Sequence, residues 1–80
     1  MGISEVVVDR ILFLCQERNL SVNKLCTISG VTQSTVNDIV HRKSKNIGIV
    51  TIKKLCDGLE ISITDFFDTP EFKELQQELY

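Results

Sequence analysis

Apolar residues recur along this chain at spacings of three and four, and nowhere alternate over a strand-length run. Val7, Ile11 and Leu14 form one row with Arg18, with Val8 and Cys15 beside it, so the spacing predicts a helix over residues 4–18. Asn19 can close that helix, because Asn tolerates the left-handed conformation used after helix ends. Ser21 is placed to cap a short second helix over residues 22–29, with Leu25, Cys26 and Ile28 turned inward. Gly30 and Val31 make a tight turn. Thr32 then caps a third helix, about residues 33–41, whose apolar members are Val36, Ile39 and Val40. In a fourth helix, 49–59, Ile52, Leu55, Cys56 and Leu59 fall at i, i+3, i+4 and i+7. Ser62-Ile63-Thr64-Asp65 reads as a capping box with Asp as its acid, and opens a short fifth helix carrying Phe66 and Phe67. Thr69 followed by Pro70 is a start signal for a last helix, 70–80, with Phe72, Leu75 and Leu79 on one stripe. The expectation is an all-α chain.

Composition narrows the class. With 80 residues, 42% hydrophobic and 25% charged, the chain can fold around one core and has no room for a second. No apolar run reaches the roughly 18 residues of a membrane span. The stretch at residues 6–15 is interrupted by Asp9 and Arg10, and no cleavage site of a signal peptide follows it. Cys15, Cys26 and Cys56 are odd in number and lack C-x-x-C spacing, so neither a disulfide framework nor a zinc site is indicated. Each follows a leucine, which suits buried thiols in a reducing cytoplasm. No nucleophile–base pair, metal-ligand spacing or Gly-rich phosphate loop is present, so no catalytic residue, metal or cofactor is expected. His41 stands alone and reads as a phosphate contact or plain surface.

The chemistry lies in residues 21–39. Two short helices joined by a Gly-containing turn make a helix-turn-helix, with Gly30 supplying positive φ and Cys26 the small residue at the crossing. Turned at about 100° per residue, Gln33, Asn37, His41, Ser34 and Asp38 fall within about 140° of arc, opposite Val36 and Ile39. One face is polar and one apolar, as a helix lying in the major groove requires. Gln can bridge adenine N6 and N7, and Ser can bond to several bases. Asp38 either accepts from cytosine N4 or faces solvent. The free N–H groups of Val22 and Asn23 at the start of the second helix suit a phosphate, with the Asn23 side chain adding to them. Arg42, Lys43, Lys45 and Asn46 form a basic loop on the other flank, suited to grip the DNA backbone.

These motifs resemble the Cro/CI-type (lambda-repressor-like, XRE) helix-turn-helix domain of bacterial and phage regulators. The resemblance covers roughly residues 6–68. It rests on Leu-Ser-Val-Asn-Lys-Leu at 20–25, Gly-Val-Thr-Gln-Ser-Thr-Val at 30–36, the basic loop, Thr-Ile-Lys-Lys-Leu at 51–55, and Ile-Ser-Ile-Thr-Asp-Phe-Phe-Asp at 61–68. It implies a compact five-helix domain over residues 1–69, here followed by a sixth helix at 70–80. The implied activity is sequence-specific binding of double-stranded DNA by a transcription regulator, in the first place a repressor. Gln33, Ser34, Asn37 and Asp38 match the family's base-reading positions. Ser21, Val22, Asn23, Thr32, His41, Arg42, Lys43, Lys45 and Asn46 are expected on phosphates.

The chain departs from the family at several points. Val22 stands where several members have Gln, and it can neither bond a phosphate nor support a neighbouring Gln, so the site is expected to lean on backbone amides. The common Asn-Gly after the recognition helix is His41-Arg42. A left-handed Arg42 would cost about 1 kcal/mol, so the third helix is expected to run on a little. Glu60 replaces the usual Gly after the fourth helix. Cys15 and Val40 occupy the positions of a common Arg–Glu pair, and an apolar contact is expected in its place.

Most family members bind two-fold sites as dimers, which implies a homodimer. Leu12 and Phe13 are surplus to the core row of the first helix. The 70–80 helix, through Phe72, Leu75 and Leu79, is the first candidate for the interface, or folds back on its own domain. The alternative function is an antitoxin-like module whose acidic last helix binds a partner protein. The net charge of −2 hides a polarity: residues 1–54 hold eight basic against four acidic side chains, +4, and residues 55–80 one against seven, −6. The acidic end is thus expected to lie away from DNA, opposite a basic DNA-facing surface.

Overall fold

A computed structural model of the chain describes residues 2–77. Six helices follow one another: α1 (Ile3–Glu17), α2 (Val22–Ser29), α3 (Gln33–Val40), α4 (Ile49–Gly58), α5 (Ile63–Phe67) and α6 (Pro70–Lys73). The described residues contain no strand. No helix among them is long and apolar enough to cross a membrane.

The expected apolar rows form the core. Val7, Val8, Ile11, Leu14 and Cys15 of α1 pack with Leu25, Val31, Val36, Ile39, Ile52, Leu55, Cys56, Leu59 and Phe66. Val40 is half-buried against this cluster, which also holds Cys15. Both side chains therefore lie on the core side, where an ion pair would have to be desolvated. Burial raises the pKa of the Cys15 thiol, and burial with the nearby Asp57 carboxylate does the same for Cys56.

One inward expectation for α2 needs correction: Ile28 is 38% exposed, whereas Leu25 is buried and Cys26 is half-buried against the core. The inward row of α2 is Leu25 and Ser29, one turn apart, and Ile28 sits one residue off it at the rim, near Arg18, Leu20 and Leu59. Ser29 meets Gly58 of α4 so closely that a Cβ on Gly58 would stand 2.9 Å from Ser29 Cα and 3.0 Å from its Cβ. The absence of a side chain at 58 sets the distance between α2 and α4.

The first four helices all end in a left-handed residue, and only one of these is glycine. They are Asn19 (φ 55°), Gly30 (φ 71°), Arg42 (φ 62°) and Glu60 (φ 57°). The following amides close the ends: Leu20 N–H donates to Cys15 O at 2.8 Å, Lys43 N–H to Asp38 O at 2.8 Å, and Ile61 N–H to Cys56 O at 3.0 Å. The third helix therefore does not run on past Arg42. Closing the end outweighs the about 1 kcal/mol that a Cβ costs in this region.

Two arginines of α1 bind the later helices. Arg10 Nε donates to Phe66 O at 2.9 Å and its Nη2 to Asp65 O at 3.1 Å, holding carbonyls of α5. Arg18 Nε donates to Leu59 O at 2.9 Å, just past α4. A cation at helix C-terminal carbonyls is doubly favoured, by hydrogen bonding and by the helix dipole.

The last helix is shorter than its stripe predicts. It begins at Pro70 as expected but ends after one turn, with Glu74 as its C-cap. Phe72 explains why it is held at all: its ring lies 4.8 Å from Phe67 and 6.1 Å from Phe66, so it folds back on its own domain. Leu75 is half-buried beyond the helix, and Leu79 lies outside the described residues. A helical stripe needs an apolar surface to cover it, and past Phe72 the domain's own aromatic cluster is used up.

Candidate nucleic-acid interface

The helix-turn-helix is assembled by its caps. Ser21 Oγ accepts the Lys24 N–H at 3.1 Å, and Thr32 Oγ1 accepts the Thr35 N–H at 3.4 Å. Gly30 between them turns the chain, and Leu25, Val36 and Ile39 fill the interface of α2 with α3. The opposite side of α3 is polar. Gln33, Ser34 and Asp38 are exposed and Asn37 is half-buried, so the four expected base-reading residues share one surface.

The start of α3 is tied to the start of α2. Gln33 Nε2 donates to Asn23 Oδ1 at 2.7 Å. The support expected to be lost at Val22 is supplied one residue later, by Asn23. Among the described residues the amides of Val22 and Asn23 have no acceptor, so α2 presents its N-terminus beside this pair.

The far flank is ordered by backbone bonds. Lys43 and Ser44 N–H both donate to Asp38 O, at 2.8 and 3.3 Å, which folds the basic loop against the end of α3. His41 Nδ1 lies 2.8 Å from Asn37 O. A carbonyl only accepts, so the proton is on Nδ1, and Nε2 is the ring's other polar atom. Lys43, Lys45 and Asn46 are exposed. Thr35, which the pattern did not single out, borders a hollow of about 230 Å³ with Asp38, Ser44, Asn46 and Thr51. Only its nearness in space to the loop marks it, which no sequence spacing shows.

Arg42 differs from expectation in its partners as well as its backbone. Its Nη2 donates to Asp9 Oδ1 at 2.7 Å, so one edge of the guanidinium is held by α1. The basic surface is accordingly smaller than the count of charges suggests. Arg10 and Arg18 serve backbone carbonyls, Arg42 pairs with Asp9, and Lys53 pairs with Asp57. Among the described residues, Lys24, Lys43, Lys45 and Lys54 are left with no ion-pair partner.

Comparison with known proteins agrees with this geometry. A family model described as the Cro/C1-type HTH DNA-binding domain matches residues 10–71. The chain is also similar to a protein solved as the crystal structure of the prophage Lp1 protein 11. The two are 39% identical, with 94% of this chain and 100% of that chain covered and a TM-score of 0.81. No curated protein matches.

Proposed function

The chain belongs to the Cro/C1-type helix-turn-helix family of DNA-binding transcription regulators, and on that premise we propose that it is a repressor that docks α3 in the major groove of a two-fold operator as a homodimer. The observation that carries the docking is the Gln33–Asn23 bond. It fixes the first side chain of α3 beside the unpaired amides of α2, so one base-edge group and one phosphate site are presented together. Gln33, Ser34, Asn37 and Asp38 read bases. Val22 and Asn23 amides, with the Ser21 and Thr32 hydroxyls, take a phosphate on one side. Lys43, Lys45, Asn46 and His41 take phosphates on the other, with Arg42 beside them, its Nη2 and Nη1 shared with Asp9 Oδ1 and Glu5 O.

Repression needs only occupancy of a promoter, which a domain of this size supplies by itself. Selection of bound sequences from a random duplex pool tests the docking, and a reporter carrying the selected site tests repression. The expected outcome is a two-fold consensus whose half-sites are about one helical turn apart. Recovery of no consensus, or activation of the reporter, defeats the reading.

A further inference from the structure

We propose that Asp9, a residue of α1 outside the helix-turn-helix, limits how tightly the chain holds DNA by keeping the Arg42 guanidinium from the phosphates. The inference rests on the reading above that the loop after α3 lies along the DNA backbone, and it names the residue that restrains that loop's grip. Arg42 closes the end of α3 in a left-handed conformation, at φ 62°. Glycine would stand there without the about 1 kcal/mol that a Cβ costs. What arginine adds is its head group, and the head group leaves the loop for α1. Nη2 donates to Asp9 Oδ1 at 2.7 Å and Nη1 to Glu5 O at 3.5 Å.

These two acceptors lie one turn apart on α1. Both Nη nitrogens therefore have a partner there, and every two-point fork from a guanidinium to a phosphate uses at least one of them. The Asp9 carboxylate also offsets the Arg42 charge on the flank where that charge would count. Arg42, Ser44 and Lys45 border a hollow of about 510 Å³ together with Gly2, Ser4 and Glu5 at the start of α1. A phosphate reaching this flank meets the Lys45 charge in full, but at Arg42 it meets a pair of zero net charge.

The pair is not needed to hold α1 in place. Val7, Val8, Ile11 and Leu14 bury α1 in the core, whereas the Asp9 and Arg42 side chains are 49% and 45% exposed. A pair so exposed contributes at most about 1 kcal/mol to stability. Its larger effect is on what Arg42 can do elsewhere, because a guanidinium that reaches a phosphate releases a condensed counterion. Arg10, the neighbouring cation, directs Nε and Nη2 to the α5 carbonyls, and among the described residues Arg42 is the ion-pair partner of Asp9. Glu5 supplies the contrast one turn earlier. Its carbonyl meets Arg42, but its carboxylate has no ion-pair partner among the described residues.

The test is a salt series of anisotropy titrations of the full chain, against a labelled random-sequence duplex and a duplex from the selection above. Asp9→Asn is expected to raise affinity for both duplexes alike, about fivefold near 0.1 M salt, and to steepen the slope of log affinity against log salt by about 1. Circular dichroism should show the wild-type helix content, because Asp9 lies outside the core. Asp9→Glu keeps a carboxylate within reach of Arg42 and should bind as wild type does. Arg42→Ala placed in the Asp9→Asn chain should abolish the gain. Glu5→Gln removes the same charge without releasing Arg42, and should change affinity by less than about twofold. Three results each overturn the proposal: an Asp9→Asn chain that binds no tighter than wild type, a gain that survives Arg42→Ala, or an equal gain from Glu5→Gln, which would make net charge the cause. A wild-type chain that holds neither duplex at any salt strikes the DNA-binding reading itself, a result distinct from all three.

Discussion

Gln33 Nε2 donates to Asn23 Oδ1 across the helix-turn-helix, at 2.7 Å. One amide hydrogen is used in this bond. The other, with Oε1, remains for the bidentate pattern that adenine offers. In the docking proposed above, the long Gln side chain would therefore be ordered before it meets a base, which would lower the entropy lost on binding.

Gln33→Ala is expected to relax preference at one base pair at a cost of about 1–3 kcal/mol. Asn23→Ala should lose part of the same preference with Gln33 still present. In a double-mutant cycle the two should couple by at least about 0.5 kcal/mol. Strictly additive losses in duplex titrations would show that the bond does not serve recognition.

Lys45→Ala should weaken binding to all duplexes alike and reduce the slope of log affinity against log salt by about 1. Arg42→Ala should change that slope less, because Asp9 already holds the Arg42 guanidinium. Salt titrations of both variants against matched and scrambled duplexes check the order.

Gly58→Ala sets two effects against each other. Alanine favours a helix over glycine by about 1 kcal/mol. The new methyl would stand 2.9–3.0 Å from Ser29 backbone and Cβ atoms, which cannot swing aside. Overpacking of this kind costs about 1–3 kcal/mol, so net destabilisation in urea melts is expected.

Glu60 and Arg42 are left-handed for different returns. Glu60 is exposed and its side chain makes no hydrogen bond or ion pair among the described residues, so Glu60→Gly should relieve strain of about 1 kcal/mol, less the entropy that glycine adds to the unfolded chain. Arg42→Gly gives up the pair with Asp9 as well, and should stabilise less. Chemical denaturation of the two variants side by side measures the difference.

The buried thiols make stability depend on alkaline pH. Cys15 and Cys56 have folded pKa values above the ordinary thiol range. Below the unfolded pKa of about 8.5 both states keep the proton. Above it the unfolded state ionises first, so stability should fall as pH rises from there through the folded values. Labelling with a thiol reagent at neutral pH should mark half-buried Cys26 first, and Cys15 and Cys56 only on unfolding.

Much of this fold is legible because its signals are periodic and local. The rows Val7–Ile11–Leu14 and Ile52–Leu55–Cys56–Leu59 appear as buried faces, and the caps at Ser21, Thr32 and Ser62 appear as bonds. The polar face of α3 follows from the same periodicity. What stays hidden is contact with backbone. Arg10 reads only as a break in an apolar run and Arg18 as the end of the core row, yet their acceptors are carbonyls 56 and 41 residues away, which no side-chain pattern announces. Gly58 meets Ser29 for the same reason, main chain against main chain. The end of α6 at Lys73 shows the opposite limit: a stripe proposes a helix, but only a covering surface makes one.

The two arginine clamps also order events in time. They join the first helix to atoms that leave the ribosome among the last of the folded domain, at Leu59, Asp65 and Phe66. A nascent chain stopped before Leu59 has its α2–α3 reading head but neither clamp, and it lacks the aromatic residue that closes the core. Closing contacts so distant in sequence delays cooperative folding until nearly the whole domain has been synthesised. A truncated product would therefore not compete with the full chain for DNA.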